Sequence, residues 1–469
     1  MDERELCFLS LSEVSQLIGS REVSPVAVTR AILDRIAEKD ATIGAYVTVM
    51  GEAALESARE AEREIEQGRY RGPLHGVPVS LKDIIYVKGV RNTAGSKVMA
   101  DFVPDHDATV TQKLRSAGAV IVGKAQLYEF AMGPKTTYHF GPTRNPWDLN
   151  RVTSGSSSGG AAGVSAFLCY GSLGTDTGGS IRGPASWCGV VGYKPTYGVV
   201  SRYGVTPLSW CMDHVGPITR TVRDAALMMN AIAGYDPEDP GSLNVPVPDY
   251  AAALEGDLGG LRIGIDTEFF FDGLNPEVEA AFRQALQALQ SAGANIREVS
   301  FPSMDLAQSA HSLILLAEAA SVHEERIRGS AKLFGANART RTELGSFLMA
   351  TDYLKAQRVR TLFQKEFAQV MKGVDVLATP ASPAPASRFD EPPPRADGKQ
   401  AARSAANRFR RPFNLVGAPA ISVPCGFTEA GLPIGLQIVG RPLEDGLVLK
   451  VAHIYEQMTD WHRRRPPIG

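Results

Sequence analysis

Between Arg151 and Arg182 the chain reads RVTSGSSSGGAAGVSAFLCYGSLGTDTGGSIR, two serine-and-glycine clusters separated by a short apolar run. Glycine loses the most backbone freedom on folding, so ordering two such clusters is costly. The arrangement suits a site that needs backbone N–H groups and hydroxyls close to a ligand. Upstream, Lys82 stands in HGVPVSLKDII, among Val77, Val79, Leu81, Ile84 and Ile85. Two serines and a semi-buried lysine can make a nucleophile with no histidine.

Ser180 ends Thr175-Asp176-Thr177-Gly178-Gly179-Ser180, and Pro184 suits the first turn of a short helix just beyond it. Ser180 then sits in the loop before that helix. The N–H groups of Thr177, Gly178, Gly179 and Ser180 can converge as a nest for a developing oxyanion, each donor being worth roughly 3–4 kcal/mol in a transition state. A serine hydroxyl needs a base, and Lys82 serves only when neutral, which requires burial or a neighbouring cation. Asp83 would raise the lysine's pKa if it pointed inward, so it is expected to point away. The lysine stem need not reach Ser180 directly, because a hydroxyl of the Ser154–Ser158 cluster can relay the proton.

Elements must position these groups. Helices are expected over Pro25–Lys39 (with Ser24 as N-cap), Glu52–Gln67, Ala108–Ala117, Val222–Ala233 and Pro276–Ser291, with long helical segments over about Met304–Arg328 and Thr342–Met371. Strands are expected over Val77–Leu81, Ala119–Val122, Leu261–Ile265, Ile296–Phe301, Val374–Thr379, Ala420–Pro424 and Ile434–Val439. Alternating strands and helices predict an α/β fold with buried strands. A proline-rich break spans Asp236–Pro248. Pro380–Arg411 reads as a long irregular loop, either a lid over a site or a solvated excursion. Its Arg395, Lys399, Arg403, Arg408, Arg410 and Arg411 could draw an acidic ligand or simply face water.

Composition is that of an ordinary globular protein, 44% apolar and 21% charged over 469 residues. The net charge of −2 points to no polyanionic partner. No apolar run reaches the ~20 residues that span a bilayer, and the start MDERELCFLSL has no signal-peptide core. Cys7, Cys169, Cys188, Cys211 and Cys425 are widely spaced and read as buried free thiols of a cytoplasmic protein. Gly118–Ala125 nearly spells a P-loop, but Ala125 stands where Ser or Thr would hold magnesium, and the AVIV between suits a strand. The eight scattered histidines form no metal motif, so no metal and no cofactor is expected.

Taken together, these motifs resemble the amidase signature family, whose serine hydrolases use a Ser–cisSer–Lys triad. The resemblance extends through Asn145-Pro-Trp-Asp, Cys188–Gly198, Asp213-His-Val-Gly-Pro and Gly417-Ala-Pro-Ala-Ile-Ser-Val-Pro, almost the whole chain. It implies the amidase-signature fold: one domain over 1–469, with a large mixed central sheet covered by helices on both faces. Within it lie an N-terminal helical region (about 1–70), a catalytic core (about 71–235) and a second half (about 236–469) that builds the substrate pocket. It implies Lys82 as base, Ser180 as nucleophile and a cis-peptide serine as relay. Aligned without gaps from Asn145 to Ser180, the relay is Ser156; Ser157 would need an insertion and a deletion. Ser158 then replaces a motif glycine. Asp176, Arg182 and Ser157 are expected to support the site, and Phe130, Met132, Trp187, Trp210, Cys211 and Met212 to line the pocket. By itself none of these residues would signify much, since a lone lysine at a strand end is ordinarily a solvated charge.

The expected activity is a stand-alone hydrolase of a carboxamide or related C–N bond, either a small aliphatic or aryl amide or a carbamate. The expected partner is that small molecule, with no nucleic acid and no membrane, acted on by a monomer or homodimer. The family also contains the A subunits of aminoacyl-tRNA amidotransferases, which release ammonia from glutamine beside partner subunits. In those the nucleophile is typically followed by IRQPA. Here Gly183 replaces the glutamine, and the C-terminal Trp461–Pro466 also looks more like the stand-alone enzymes.

Overall fold

The computed structural model describes residues 3–132, 139–391 and 406–468. Its first strands are β1 (Tyr46–Val49), β2 (Pro78–Lys82), β3 (Val120–Ala125), β4 (Arg144–Asn145), β5 (Asp148–Val152), β6 (Gly171–Asp176) and β7 (Val191–Lys194). They continue with β8 (His214–Thr219), β9 (Arg262–Ile265), β10 (Asn295–Glu298), β11 (Val376–Pro380), β12 (Ala420–Phe427) and β13 (Pro433–Val439). Eleven of them form one sheet in the order β1-β3-β2-β6-β8-β7-β12-β13-β11-β9-β10, while β4 and β5 form a separate ribbon. β2 runs parallel to both β3 and β6, whereas β6–β8, β7–β12 and β12–β13 are antiparallel, so the sheet is mixed. Helices pack against it on both faces.

Local chemistry explains the elements that carry the site. The helix Pro25–Ile43 starts as expected: the Ser24 hydroxyl accepts from the N–H groups of Val26 and Ala27. It ends at Gly44, whose φ of 67° suits glycine. β2, β3, β6 and β8 are buried at every position; β2 and β3 accordingly read as apolar runs without alternation, whereas the glycine- and threonine-containing β6 and β8 were not among the expected strands. Gly118 to Ala125 is the turn and strand β3, and Lys124 is buried there, donating to Ile85 O and Asn92 Oδ1. The helix Ser158–Ser165 lies against the sheet because Gly159 lets it approach closely: a Cβ there would sit 2.2 Å from Ala45 O.

One expectation needs correction, and one open alternative is narrowed. The helix expected over Thr342–Met371 is two helices, Ala336–Ser346 and Ala350–Val370, broken at 347–349. Gly345 explains the tight end of the first, since a Cβ there would meet Leu316 O at 2.0 Å. The basic residues of Pro380–Arg411 do not all face water: Arg408 and Arg410 are buried, and Arg411 is largely covered. Arg395, Lys399 and Arg403 lie outside the described residues.

Candidate active site

Lys82 is the last residue of β2, and Ser180 lies in the loop between β6 and the helix Arg182–Cys188. The neighbouring parallel strands β2 and β6 therefore bring both to the carboxyl ends of these strands. Lys82 is fully buried, its Nζ 2.8 Å from Ser156 Oγ and 2.7 Å from Thr175 Oγ1. Burial pushes its pKa down to about 7, against the opposing pull of Asp176 and Asp213. The amine is thus poised to be neutral near neutral pH. Asp83 points elsewhere, accepting from Thr93 N–H and Thr93 Oγ1 and facing Lys124 Nζ at 3.3 Å.

The peptide Gly155–Ser156 is cis. Gly155 has no room for a side chain, because a Cβ would strike the Tyr128 ring at 2.2 Å. The two candidate relay serines have different neighbours. Ser156 faces Lys82, while Ser157 Oγ donates to Thr175 O and accepts from Thr175 N–H. Ser157 N–H also donates to Ser180 O at 3.2 Å, tying the two loops together. Ser158 opens the following helix and donates to Gln126 O.

The loop Thr177–Ser180 is braced from below by Asp176. Burial would raise its pKa, but Arg182, Lys194 and Asn414 outweigh that and hold the carboxyl well below the usual carboxylate range. Arg182 meets it through Nη2 at 3.0 Å and Nε at 3.1 Å, and turns its remaining N–H groups to Gln437 Oε1, Asn414 Oδ1 and Arg410 O. Asp176 also accepts from Gly179 N–H at 2.7 Å and Ile181 N–H at 3.0 Å. This corrects the expected four-donor nest. Gly179 N–H is committed to Asp176, whereas those of Thr177, Gly178 and Ser180 have no acceptor among the described residues.

A cavity of about 100 Å³ opens over Ser156 and Ser180, lined also by Tyr128, Met132, His311 and Arg411. Of the expected pocket residues only Met132 lines it. Phe130 is buried against His323 and Phe334, with ring centroids 4.3 and 5.2 Å away. Trp187 packs with Val152 and Ala386 and donates to Ala384 O, and Met212 is core. Trp210 borders a different hollow of about 250 Å³, which touches Thr175, Thr177 and Asp213 but neither serine. Cys211 is partly covered, its thiol pushed up to about 12 by burial and by Glu318. Sequence reasoning missed Thr175, His311 and Arg341, and left Arg411 open between drawing an acidic ligand and facing water. Thr175 stands in the TDTGGS run, whereas His311 and Arg341 carry no signal linking them to Ser180.

The family model for Amidase matches residues 27–449. The chain belongs to the amidase signature family. It is an enzyme of the hydrolase class that family defines, and the expected fold is the one found. A curated relative, the A subunit of the glutamyl-tRNA(Gln) amidotransferase of Geobacter sp. (strain M21), is 45% identical over 99% of this chain and 100% of its own length. The corresponding A subunit of Moorella thermoacetica is 44% identical over 99% of each chain. A solved structure described as a vestigial protein complex revealing the origins of an s-triazine catabolic enzyme superposes with a TM-score of 0.91. It shares 32% identity and covers 96% of this chain and 98% of its own.

These relatives overturn the expected stand-alone hydrolase of small amides or carbamates, and with it the expected partner set of a small molecule without nucleic acid. Gly183 and the C-terminal Trp461–Pro466 are local departures. Full-length identity to subunits of a tRNA-dependent enzyme outweighs them. Among the described residues no helix is long and apolar enough to cross a membrane.

Proposed function

We propose that this chain is the ammonia-releasing A subunit of a glutamyl-tRNA(Gln) amidotransferase, working in the cytoplasm beside partner subunits. The observation that carries this reading is the 45% identity to such a protein over its entire length. The site geometry supplies a mechanism. Neutral Lys82 offers its lone pair to Ser156 while an N–H is held by Thr175. Ser156 passes its proton to Lys82 and takes the proton of Ser180, whose Oγ attacks the side-chain amide carbon of glutamine. The N–H groups of Gly178 and Ser180, joined by that of Thr177, hold the oxyanion. The relay then runs backward and protonates the leaving nitrogen, and ammonia departs. Water opens the resulting acyl-serine by the same route, giving glutamate. The ammonia is consumed on the partner subunits, where it displaces phosphate from the γ-carboxyl of glutamyl-tRNA(Gln) after a nucleoside triphosphate has activated that carboxyl.

The test is reconstitution. The chain mixed with partner subunits of a relative, glutamine, glutamyl-tRNA(Gln), ATP and magnesium should release glutamate and form glutaminyl-tRNA(Gln), and Ser180→Ala should do neither. No tRNA amidation by a complex that assembles would refute the proposal.

A further inference from the structure

The oxyanion loop is held in part by the second half of the chain. His311 stands on the helix Met304–Ser330 and is buried at the wall of the cavity over Ser180. Its Nε2 lies 2.9 Å from Thr177 O, and a carbonyl only accepts, so the ring carries its proton on Nε2. Nδ1 is then an acceptor, buried with no donor among the described residues. The ring is neutral: burial and the guanidiniums of Arg411 and Arg341, outweighing Thr177 O and Asp176, hold its pKa at about 3. The contact also accounts for Gly178. A Cβ there would come within 3.0 Å of His311 Cε1 and 3.1 Å of Nε2, so the imidazole lies where a side chain would otherwise be.

A trans peptide is planar, with its C=O and N–H pointing in opposite directions. The peptide joining Thr177 to Gly178 is trans. A donor that fixes Thr177 O therefore also fixes Gly178 N–H, facing the opposite way and with no protein acceptor among the described residues. The loop's other two free donors are set likewise. Asp176 O accepts from His214 Nδ1 at 3.1 Å and Asn414 Nδ2 at 3.0 Å, which orients Thr177 N–H. Gly179 O accepts from Gly183 N–H at 2.8 Å, which orients Ser180 N–H. Of these anchoring groups His311 alone lines the cavity.

We propose that His311 is a positioning residue for the oxyanion hole: its Nε2–H pins Thr177 O and thereby aims Gly178 N–H at the oxygen that gains charge in the transition state. The proposal rests on Ser180 being the nucleophile and holds whichever amide is opened. Without the pin the peptide can turn, because Gly178 and Gly179 give it the freedom to do so. The donor must then be reoriented as the oxyanion forms. Such a loss falls on the transition state and spares the ground state, so it lowers the rate at saturation and leaves binding alone.

The test labels Ser180 in the full-length chain with a fluorophosphonate. Ser180 Oγ bonds to phosphorus, fluoride leaves, the hydroxyl proton passes through Ser156 to Lys82, and the phosphoryl oxygen takes the place of the oxyanion. The rate constant at saturation and the half-saturating concentration are measured separately, beside thermal midpoints. His311→Leu should lower the rate constant by about tenfold or more, towards the ~10²–10³ lost when an oxyanion donor is removed outright, and leave the half-saturating concentration within about twofold. His311→Gln, whose amide nitrogen can stand near the place of Nε2, should recover most of that loss. Gly178→Ala presses on the same contact from the loop side and serves where His311→Leu does not fold. It should slow labelling more in wild type than in His311→Gln, whose flexible side chain yields. The acidic limb near pH 7 set by Lys82 should persist in His311→Gln. Wild-type labelling of folded His311→Leu, a His311→Gln variant no faster than His311→Leu, or loss of the acidic limb with the imidazole would each overturn the proposal. A wild type that takes no label overturns it together with the nucleophile. A labelled chain whose reconstituted complex leaves glutamyl-tRNA(Gln) unchanged refutes the amidotransferase reading alone.

Discussion

Gly183 and Arg410 share one volume: a Cβ on Gly183 would lie 2.8 Å from Arg410 Nη2 and 2.9 Å from Ser154 Oγ. Arg410 is buried and anchored by a bond from Nη1 to Ala381 O, so it cannot swing into solvent. Its stem also lies against Gly179, where a Cβ would come within 2.7 Å of Arg410 Cβ. The missing glutamine side chain after the nucleophile thus leaves room that a guanidinium fills. Gly183→Ala should therefore overpack the site and cost about 1–3 kcal/mol. The cost should shrink in an Arg410→Ala background, with a coupling above about 0.5 kcal/mol in a double-mutant cycle of urea denaturation. Additive effects would show that the two positions do not compete for space.

Ser156 and Ser157 are adjacent, yet their neighbours assign them different work. Ser156→Ala removes the hydroxyl beside Lys82 and should lower kcat by about 10²–10⁴ with little change in the denaturation midpoint. Ser157→Ala removes a hydroxyl bonded to the backbone of Thr175, so it should lower stability by about 1–3 kcal/mol and kcat far less. The reverse order of kcat losses would make Ser157 the relay.

Asp176 is the counter-charge that lets Arg182 be buried. Asp176→Asn should cost about 3–5 kcal/mol, because it strands a buried cation. The pH dependence has a definite sign. The folded carboxyl titrates well below the unfolded value of about 3.9, so its stabilisation is present in full above that pH and fades as pH falls below it. The stability gap between wild type and variant, followed by urea midpoints, should be constant from pH 5 to 7 and narrow below pH 4.

The alternation of strands and helices was legible, because buried strands and amphipathic helices have different apolar spacing. The sheet order was not: placing β12 beside β7 depends on a pairing across more than two hundred residues, Ala420 with Lys194. Lys82, Ser156 and Ser180 were legible because each sits in its own compact motif. Arg341 and Arg411 were not, since nothing in a single sequence couples Arg411 to Gly178. The arginines after Asn407 read either as a draw for an acidic ligand or as solvated charges, and the glycines at 178, 179 and 183 leave space that Arg410 and Arg411 occupy. Phe130 and Trp187 suit pocket walls because they are aromatic. Large rings serve cores just as readily, and both are buried away from the serines.

The central claim is that a buried, neutral Lys82 activates Ser180 through Ser156. The pH profile of kcat/KM for glutamate release from glutamine, taken from pH 5 to 9 in wild type and Lys82→Met, tests it most directly. Wild type should fall by tenfold per pH unit below about pH 7, as Lys82 takes up a proton, and level off above it. Lys82→Met should be about 10²–10⁴ slower at the plateau, with that limb gone. A folded Lys82→Met variant that keeps both the wild-type rate and the acidic limb would contradict the account.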